Sequence, residues 1–548
     1  MRSGAHPALV FAVIFVSVFL LHAPLLRLPY FWDEAGYYVP AARDLLLQGS
    51  LIPQTTVSNA HPPLVLAWIA LWWKVAGYAP LVTRAAMLLL AALSLAGVFR
   101  LAETVANTHV AIASTLCAGL YPVFFAQSSL AQVDLASAGL TLWALAAYLE
   151  ERPFPAALWF SLAVLAKETA ILVPAALSAW EFLGFITSGQ SRLGELCLPH
   201  QAKLQRMLAL LLPAAVLASW YAFHYARTGY VFGNPEFFRY NVASTLNPLR
   251  FLLALLLRLW QAFGYMHLWI LTIGMFLAMS LPAVSDEGVE RRRIEIPVQA
   301  VFLVIVAAYV IFMALIGGAV LARYMLTAVP LVIILAVSTL QRRLRYWGAA
   351  VAMVALAFIS AWFWNPPYGF PPEDNLAYRN YILLHEEGER FLEARYPMAR
   401  VLTAWPASDE LTRPWLGYVT RPVPVVRIED FSVEQMLSAA EFRDHFGVVL
   451  VFSTKYEPRN PLLERWRRWT ELKRRFFGFH EDLPPAAAAR ILDGKIVFSR
   501  ERAGQWVAVI EMQRSGWINA QNMVGDRWAA NPMLPSDLIF ASGGKNGF

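Results

Sequence analysis

The sequence predicts a mainly α protein: a polytopic bundle of transmembrane helices followed by a small soluble α/β domain. Two observations carry this. Of 548 residues 58% are hydrophobic and only 15% charged, with a mean hydropathy of +0.48. A soluble globular chain has roughly 45–50% apolar and about 25% charged residues. The excess is also uneven. Residues 7–364 are a series of apolar stretches broken by short polar loops, whereas the sequence from Asn365 onward has the balance of a soluble protein. We therefore divide the chain into a membrane core, residues 1–364, and a soluble extracytoplasmic domain, residues 365–548.

The net charge of +7 does not point to nucleic acid, because the basic residues gather in short loops between apolar segments. Arg291–Arg293 and then Arg342, Arg343 and Arg345 are the positive-inside signature of a membrane protein. Two cysteines, Cys117 in an apolar segment and Cys197 in an inner loop, imply no disulfide framework. No Asn-x-Ser/Thr acceptor occurs, which favours a bacterial cytoplasmic (inner) membrane. The stretch from Ala8 to Ala23 lacks a small-residue cleavage site and reads as a retained first span.

About 20 apolar residues cross a bilayer as a helix. Spans are expected near 8–23, 80–102, 109–126, 135–149, 207–226, 265–282, 297–316, 323–340 and 346–364. Region 156–186 holds Lys167-Glu168 near its middle and admits one long helix or two short ones. With the basic loops inside, and loop 187–206 and Glu150-Glu151-Arg152 also inside, it must cross twice, as a broken hairpin with its tip outside. A true span at 249–263 is the alternative; a Lys-Glu pair in mid-bilayer is costly unless it reaches water or a partner, which favours the hairpin. About eleven spans result.

The outer loops on this topology are 24–79, 127–134, the hairpin tip, 227–264 and 317–322. The first carries Trp32-Asp33-Glu34, then Asn59-Ala60-His61-Pro62-Pro63, then a helix from Leu64 to Val75 whose Trp68, Trp72 and Trp73 suit the interface. The C-terminal domain alternates strands (Arg400–Thr403, Val423–Arg427, Val448–Phe452) with helices (Ser432–Ala440, Pro461–Arg475), and closes on a hairpin, Ile496–Ser499 with Trp506–Glu511. It contains no phosphate loop and no metal spacing.

Asp33-Glu34 alone would be a solvated loop or a helix cap. What singles it out is where the other ionisable groups fall. His61, Arg84, Asp134, Lys167, Glu168 and Arg323 all map to outer loops or the outer ends of spans, where a charge near lipid is expensive and marks a functional site. Transfer from a lipid-phosphate sugar needs a base for the acceptor hydroxyl and cations for the departing phosphate. Asp33 fits the base. Arg84, His61, Lys167 and Arg323 fit a phosphate clamp, arginine because its fork matches phosphate oxygens and keeps its charge. Each has a plainer reading: the arginines snorkel to headgroups, His61 caps a helix, and Lys167 pairs with Glu168. The segment Tyr221–Tyr240, with His224, Tyr225, Arg227, Tyr230, Asn234, Glu236 and Arg239, suits either a sugar face or an interfacial aromatic belt.

On these residues the chain resembles the GT-C class of multi-span glycosyltransferases, in the branch of the protein O-mannosyltransferases and the aminoarabinose–lipid A transferases. The resemblance covers roughly residues 8–364. It rests on Trp32-Asp33-Glu34 in the first outer loop and on His61-Pro62-Pro63-Leu64, similar to the mannosyltransferases' His-Pro-Pro. Arg84, Asp134, Lys167-Glu168-Thr169 and Arg323-Tyr324 complete the order. It implies an inverting transfer from a polyprenyl-phosphate sugar to a lipid, glycan or protein hydroxyl on the outer (periplasmic) membrane face, with Asp33 and Glu34 catalytic. His61, Arg84, Asp134, Lys167, Glu168, Arg323 and Tyr324 would then bind substrate. No cofactor is required on this reading; a divalent metal is compatible with it but not indicated. The acid that precedes Lys-Pro-Pro in the lipid A transferases corresponds to Ala60 here, which argues against aminoarabinose. The rival readings are a transporter, which would place its ionisable groups at the midplane, a pyrophosphate-dependent transferase, which would want more carboxylates, and a scaffold, which leaves the buried charges unexplained.

Overall fold

A computed structural model describes residues 7–188, 200–233, 235, 247–316, 318–456, 458 and 466–513. Among these, five helices are long and apolar enough to cross a membrane: Pro7–Leu25, Pro80–Val105, Gln205–Thr228, the broken run Pro248–Met279, and Ile296–Leu315. Shorter apolar helices occupy Leu64–Ala76, Thr108–Leu120, Asp134–Leu149, Pro153–Ala166 and Trp347–Phe363. Proline stands in the first turn of the helices that begin at Pro80, Pro122, Pro153, Pro248, Ile296 and Val329. There its missing N–H costs no hydrogen bond and its fixed φ suits the helix.

Small residues set the helix spacing. A Cβ at Gly139 would fall 1.9 Å from Ser94 Oγ, so the Asp134–Leu149 and Pro80–Val105 helices approach at a point that only glycine allows. Region 156–186 is two helices, Pro153–Ala166 and Leu172–Ser188, joined by a 3₁₀ turn at Glu168–Ile171. The break falls at Lys167, whose backbone is extended (φ −154°, ψ 135°). The Pro248–Phe263 helix turns Leu249, Leu252, Leu256, Leu259 and Trp260 outward and buries Arg250, Arg258 and Gln261. That inverts the polarity of a water-soluble helix and suits a helix lying against lipid. It separates from Leu268–Met279 at Met266 and His267, both with positive φ.

Two ends can be told apart. At one, Arg291 Nη1 donates to Gln341 O (2.7 Å) and Arg342 pairs with Glu290 (3.0 Å). From there Ile296–Leu315 runs about 30 Å, at 1.5 Å per residue, to the loop before Arg323, and Val329–Arg343 returns. Arg323 and the residues it gathers lie at the far end.

Beyond the last apolar helix a five-stranded sheet has the order Val425–Ile428, Val401–Ala404, Val448–Phe452, Gln505–Met512, Gly494–Arg502. The first three strands run parallel and the last two antiparallel to their neighbours. Val448–Phe452 is buried at every position, as expected of an uninterrupted apolar run at the centre of a sheet. Ala503 and Gly504, both with positive φ, turn the last hairpin. The helix Ala377–Arg395 packs on this sheet, close enough that a Cβ at Gly388 would meet Val507 at 3.0 Å. Of the stretch expected as a helix at Pro461–Arg475, residues 461–465 lie outside the described residues and the helix is Arg467–Phe477; Cys197, Asn234, Glu236, Arg239 and Tyr240 also lie outside them.

Candidate active site

The neighbouring acids Asp33 and Glu34 go to different places. Trp32 holds a positive φ of 46°, and the five-residue π-helical turn Glu34–Tyr38 follows. A bulky residue with this backbone is a strained position, the kind held where a site needs a side chain aimed. Glu34 turns inward and is fully buried. Its two oxygens face the fork of Arg84, with Nη2 at 2.8 Å from Oε2 and Nη1 on Oε1. Glu34 also accepts from the backbone of Phe31 (2.7 Å) and of Ala131. Asp33 turns outward, its side chain 32% exposed, and Arg323 Nη2 donates to its Oδ2 at 2.6 Å.

Arg323 is the centre of the group. Beside Asp33 it donates to Gln132 Oε1 (2.7 Å) and to Glu373, and its Nε lies 3.3 Å from Asp134 Oδ2. Lys167, at the hairpin break, pairs with the other oxygen of Asp134, and its ammonium sits 4.0 Å above the Tyr324 ring. Glu168 turns to His61, whose Nδ1 lies 3.0 Å from Oε2. The His61 ring stacks on Tyr38, and the segment before it is held from the Gln205–Thr228 helix. There Trp220 donates to Ala60 O (2.9 Å) and His224 Nε2 meets Ser58 Oγ (2.9 Å).

The structure therefore brings Asp33, Asp134, Lys167, Arg323 and Tyr324 into one continuous set, with His61 and Glu168 adjoining through the Lys167–Glu168 tip. Two contacts differ from those the sequence suggests. Arg84 is fully buried, and its Nη atoms are taken up by Glu34, Ser129 O (2.8 Å) and Pro29 O (2.8 Å). Its fork is matched by Glu34, both of whose oxygens are engaged, and only its Nε is without a partner. Lys167 does not pair with Glu168, because the extended backbone at the break sends consecutive side chains opposite ways.

Sequence reading missed what the C-terminal part contributes. Glu373 and Asp374 are a second adjacent acid pair, in the turn Pro372–Asp374 some way past the last apolar helix, Trp347–Phe363, and their adjacency is the only signal in the sequence. Both are buried. Glu373 joins Arg323 and accepts from Gln132 Nε2 (3.1 Å); Asp374 accepts from the Tyr265 hydroxyl (2.6 Å). Burial pushes Glu373 up to about 7, against the pull of Arg323, and pushes Asp374 up to about 8 with the Glu373 charge adding. A small cavity opens here between Trp32, Asp33, Leu321, Phe370, Glu373 and Lys455, so both parts of the chain wall it. Arg258, also missed, donates to Leu321 O (2.7 Å) and Gln261 (2.8 Å) and fixes the loop that leads to Arg323.

No family model matches the chain, and no curated protein matches it. Among solved structures it superposes on ArnT from Cupriavidus metallidurans bound to undecaprenyl phosphate, at a TM-score of 0.51 and 14% identity over 92% of this chain and 97% of that one. The chain has the ArnT fold. The apo state of ArnT gives the same TM-score and identity over 92% and 98%. The archaeal oligosaccharyltransferase AglB from Archaeoglobus fulgidus, in complex with an inhibitory peptide and a dolichol-phosphate, matches at a TM-score of 0.45 and 12% identity over 80% and 69%. ArnT is a GT-C glycosyltransferase, so the fold is the one the sequence resemblance implied.

Proposed function

We propose that the protein is an inverting glycosyltransferase that moves a sugar from a polyprenyl-phosphate carrier to an acceptor hydroxyl. The observation that carries this is the partly exposed Asp33 held 2.6 Å from the buried Arg323, in the lining of a cavity at one end of an apolar bundle. The ArnT fold, in a protein that binds undecaprenyl phosphate, supports a carrier of that kind. Arg323 Nη2, on Asp33 Oδ2, holds that carboxylate in place. Asp33 takes the acceptor's proton as the acceptor oxygen forms its bond to the sugar carbon. The bond from that carbon to the carrier oxygen breaks, and the polyprenyl phosphate leaves with the electron pair. One displacement inverts the sugar carbon. Arg323, Lys167 and His61 meet the charge that develops on the leaving phosphate, and such preorganised cations lower the barrier without reorganising. Arg84 acts through Glu34, by fixing the turn that presents Asp33.

We infer further that this end faces the outside of a bacterial inner membrane, since Arg291–Arg293 and Arg342–Arg345 stand at the other. The decisive experiment gives the purified protein in bilayers an undecaprenyl-phosphate sugar with candidate acceptors. Release of undecaprenyl phosphate that needs both acceptor and Asp33 is the expected result. Release only from a pyrophosphate-linked donor would overturn the reading.

A further inference from the structure

Behind Trp32, away from the cavity, lies a second cluster that the proposed reaction does not use. His385 and Glu389 occupy successive turns of the Ala377–Arg395 helix, and Glu410 comes from the short helix Ala407–Thr412. All three are essentially without solvent contact, at 1%, 0% and 0% exposure. His385 Nδ1 lies 2.6 Å from Glu410 Oε2 and 3.6 Å from Glu389 Oε1, and one ligand atom from each falls within 4.8 Å of the others.

The polar bookkeeping of this cluster does not close. Both oxygens of Glu389, Oε1 of Glu410 and Nε2 of His385 are buried with no N–H or hydroxyl reaching them, and the Glu389 and Glu410 carboxyls lie within hydrogen-bond reach of each other. Among the described residues no lysine or arginine pairs with either carboxylate. The walls are aromatic: Tyr381 stacks on the imidazole at 4.0 Å between centroids, and Phe452 meets it edge-on at 4.4 Å. Two carboxylates taken out of water cost several kcal/mol each unless countered, and one imidazole can counter one of them. Either a cation enters or a carboxyl keeps its proton. Burial, with Glu410 beside it, pushes Glu389 well up when no cation is present.

We propose that His385, Glu389 and Glu410 bind one divalent metal ion of the zinc or manganese type, which ties the Ala377–Arg395 helix to the Ala407–Thr412 helix. One imidazole with two carboxylates is a donor set for such ions; an all-oxygen set would be wanted for calcium or magnesium. Ligand bonds of about 2.0–2.2 Å need ligand atoms a little over 3 Å apart, so the 3.6 Å pair is already placed and the 2.6 Å pair need only open slightly. The ion neutralises both carboxylates and gives each of them one bond. It serves position rather than chemistry. Tyr381, stacked on His385, touches Phe31 (5.3 Å) and Trp32 (5.6 Å), the residues before Asp33. The proposal stands independently of the transferase reading, since it needs neither donor nor acceptor.

The test uses the full chain, made without a histidine tag, loaded with zinc or manganese, freed of excess and assayed for metal by mass spectrometry. One ion per chain is expected, with Asp33→Asn retaining it and His385→Ala and Glu389→Gln losing it. Removing the metal from the parent with a chelator should lower Tm by several degrees, and adding zinc back should restore it, which needs no variant to fold. The protonated-carboxyl alternative predicts the reverse. Glutamine imitates a neutral acid, so Glu389→Gln would be as stable as the parent, and the parent would hold no metal after loading. Metal retained in Glu389→Gln would also overturn the site, by placing the ion elsewhere.

Discussion

Arg323 Nη2 donates to Asp33 Oδ2 at 2.6 Å, joining residues 290 positions apart in the chain. The contact leaves Asp33 partly exposed, while Arg323 also reaches Glu373, Asp134 and Gln132. On the proposed reaction Asp33 is the base for the acceptor's proton. Asp33→Asn keeps the shape and the contact but cannot take a proton, so turnover should fall by about 10²–10⁴. Thermal unfolding should move little, because Asp33 is partly exposed. Turnover of the purified variant close to the parent's would remove Asp33 from that role.

Arg84 and Glu34 should behave as a structural pair. Arg84→Ala leaves the Glu34 carboxylate buried without a counter-charge, a change that costs about 3–5 kcal/mol. Arg84→Lys keeps the charge but cannot match both oxygens, so it should also melt lower than the parent. Unfolding in detergent, measured beside turnover, separates the readings. If Arg84→Lys lost activity at unchanged Tm, a ligand contact would be favoured over the structural role.

Gly36 lies where the first outer loop meets the C-terminal region. A Cβ there would fall 2.7 Å from Cζ2 of Trp405, whose ring lies edge-on to Trp32 at 4.9 Å. Gly36→Ala must therefore displace Trp405, and with it the backing of the residue that precedes Asp33. We expect reduced turnover from a methyl group that touches no substrate. Trp405→Ala in the same chain should relieve the clash and recover part of the loss; no recovery would show that Gly36 matters for another reason.

The pH dependence of stability should carry the mark of Asp374. Its carboxyl is raised to about 8 by burial, so the folded chain holds a proton there that the unfolded chain releases near pH 4. Between those values the native state binds more protons than the unfolded one. Stability from this group is thus full in acid and declines as pH rises toward 8. Glu373, raised to about 7, acts in the same direction. Tm should fall from pH 5 to 8 by more in the parent than in Asp374→Asn, which has no proton to lose. Parallel curves would mean that Asp374 titrates normally.

The sequence disclosed the site as far as adjacency and hydropathy could. Asp33, Asp134, Lys167 and Arg323 were legible because a charge at the end of an apolar run is costly and so conspicuous. The division of Asp33 from Glu34 was not legible, because it depends on the positive φ at Trp32, which no pattern announces. Glu373 was hidden for a different reason. It belongs to the part of the chain that reads as soluble, where a carboxylate is unremarked until Arg323 is brought to it. His385 and Glu389 did carry a helical i, i+4 spacing, but their partner Glu410 comes from a separate helix, so the grouping exists only in three dimensions.

The sidedness of the site follows from helix length and can be tested without activity. Arg291–Arg293 precede a 20-residue helix that ends in the loop before Arg323, so the two must lie on opposite sides of any bilayer the helix crosses. On the proposed orientation the basic loops stay in the cytoplasm, and Asp33 and the C-terminal sheet would then lie outside. Single cysteines at Gln54, in the first loop, and at Met398, 83% exposed beside the sheet, are suitable reporters; Glu373 is buried and is not. Glu290 is exposed next to the basic loop. In a background without Cys117 and Cys197, an impermeant maleimide on intact cells should label Gln54→Cys and Met398→Cys. Glu290→Cys should react only after the membrane is opened. Labelling of all three from one side would mean that Ile296–Leu315 does not cross. Labelling of Glu290→Cys alone would invert the orientation and place the donor's sugar in the cytoplasm.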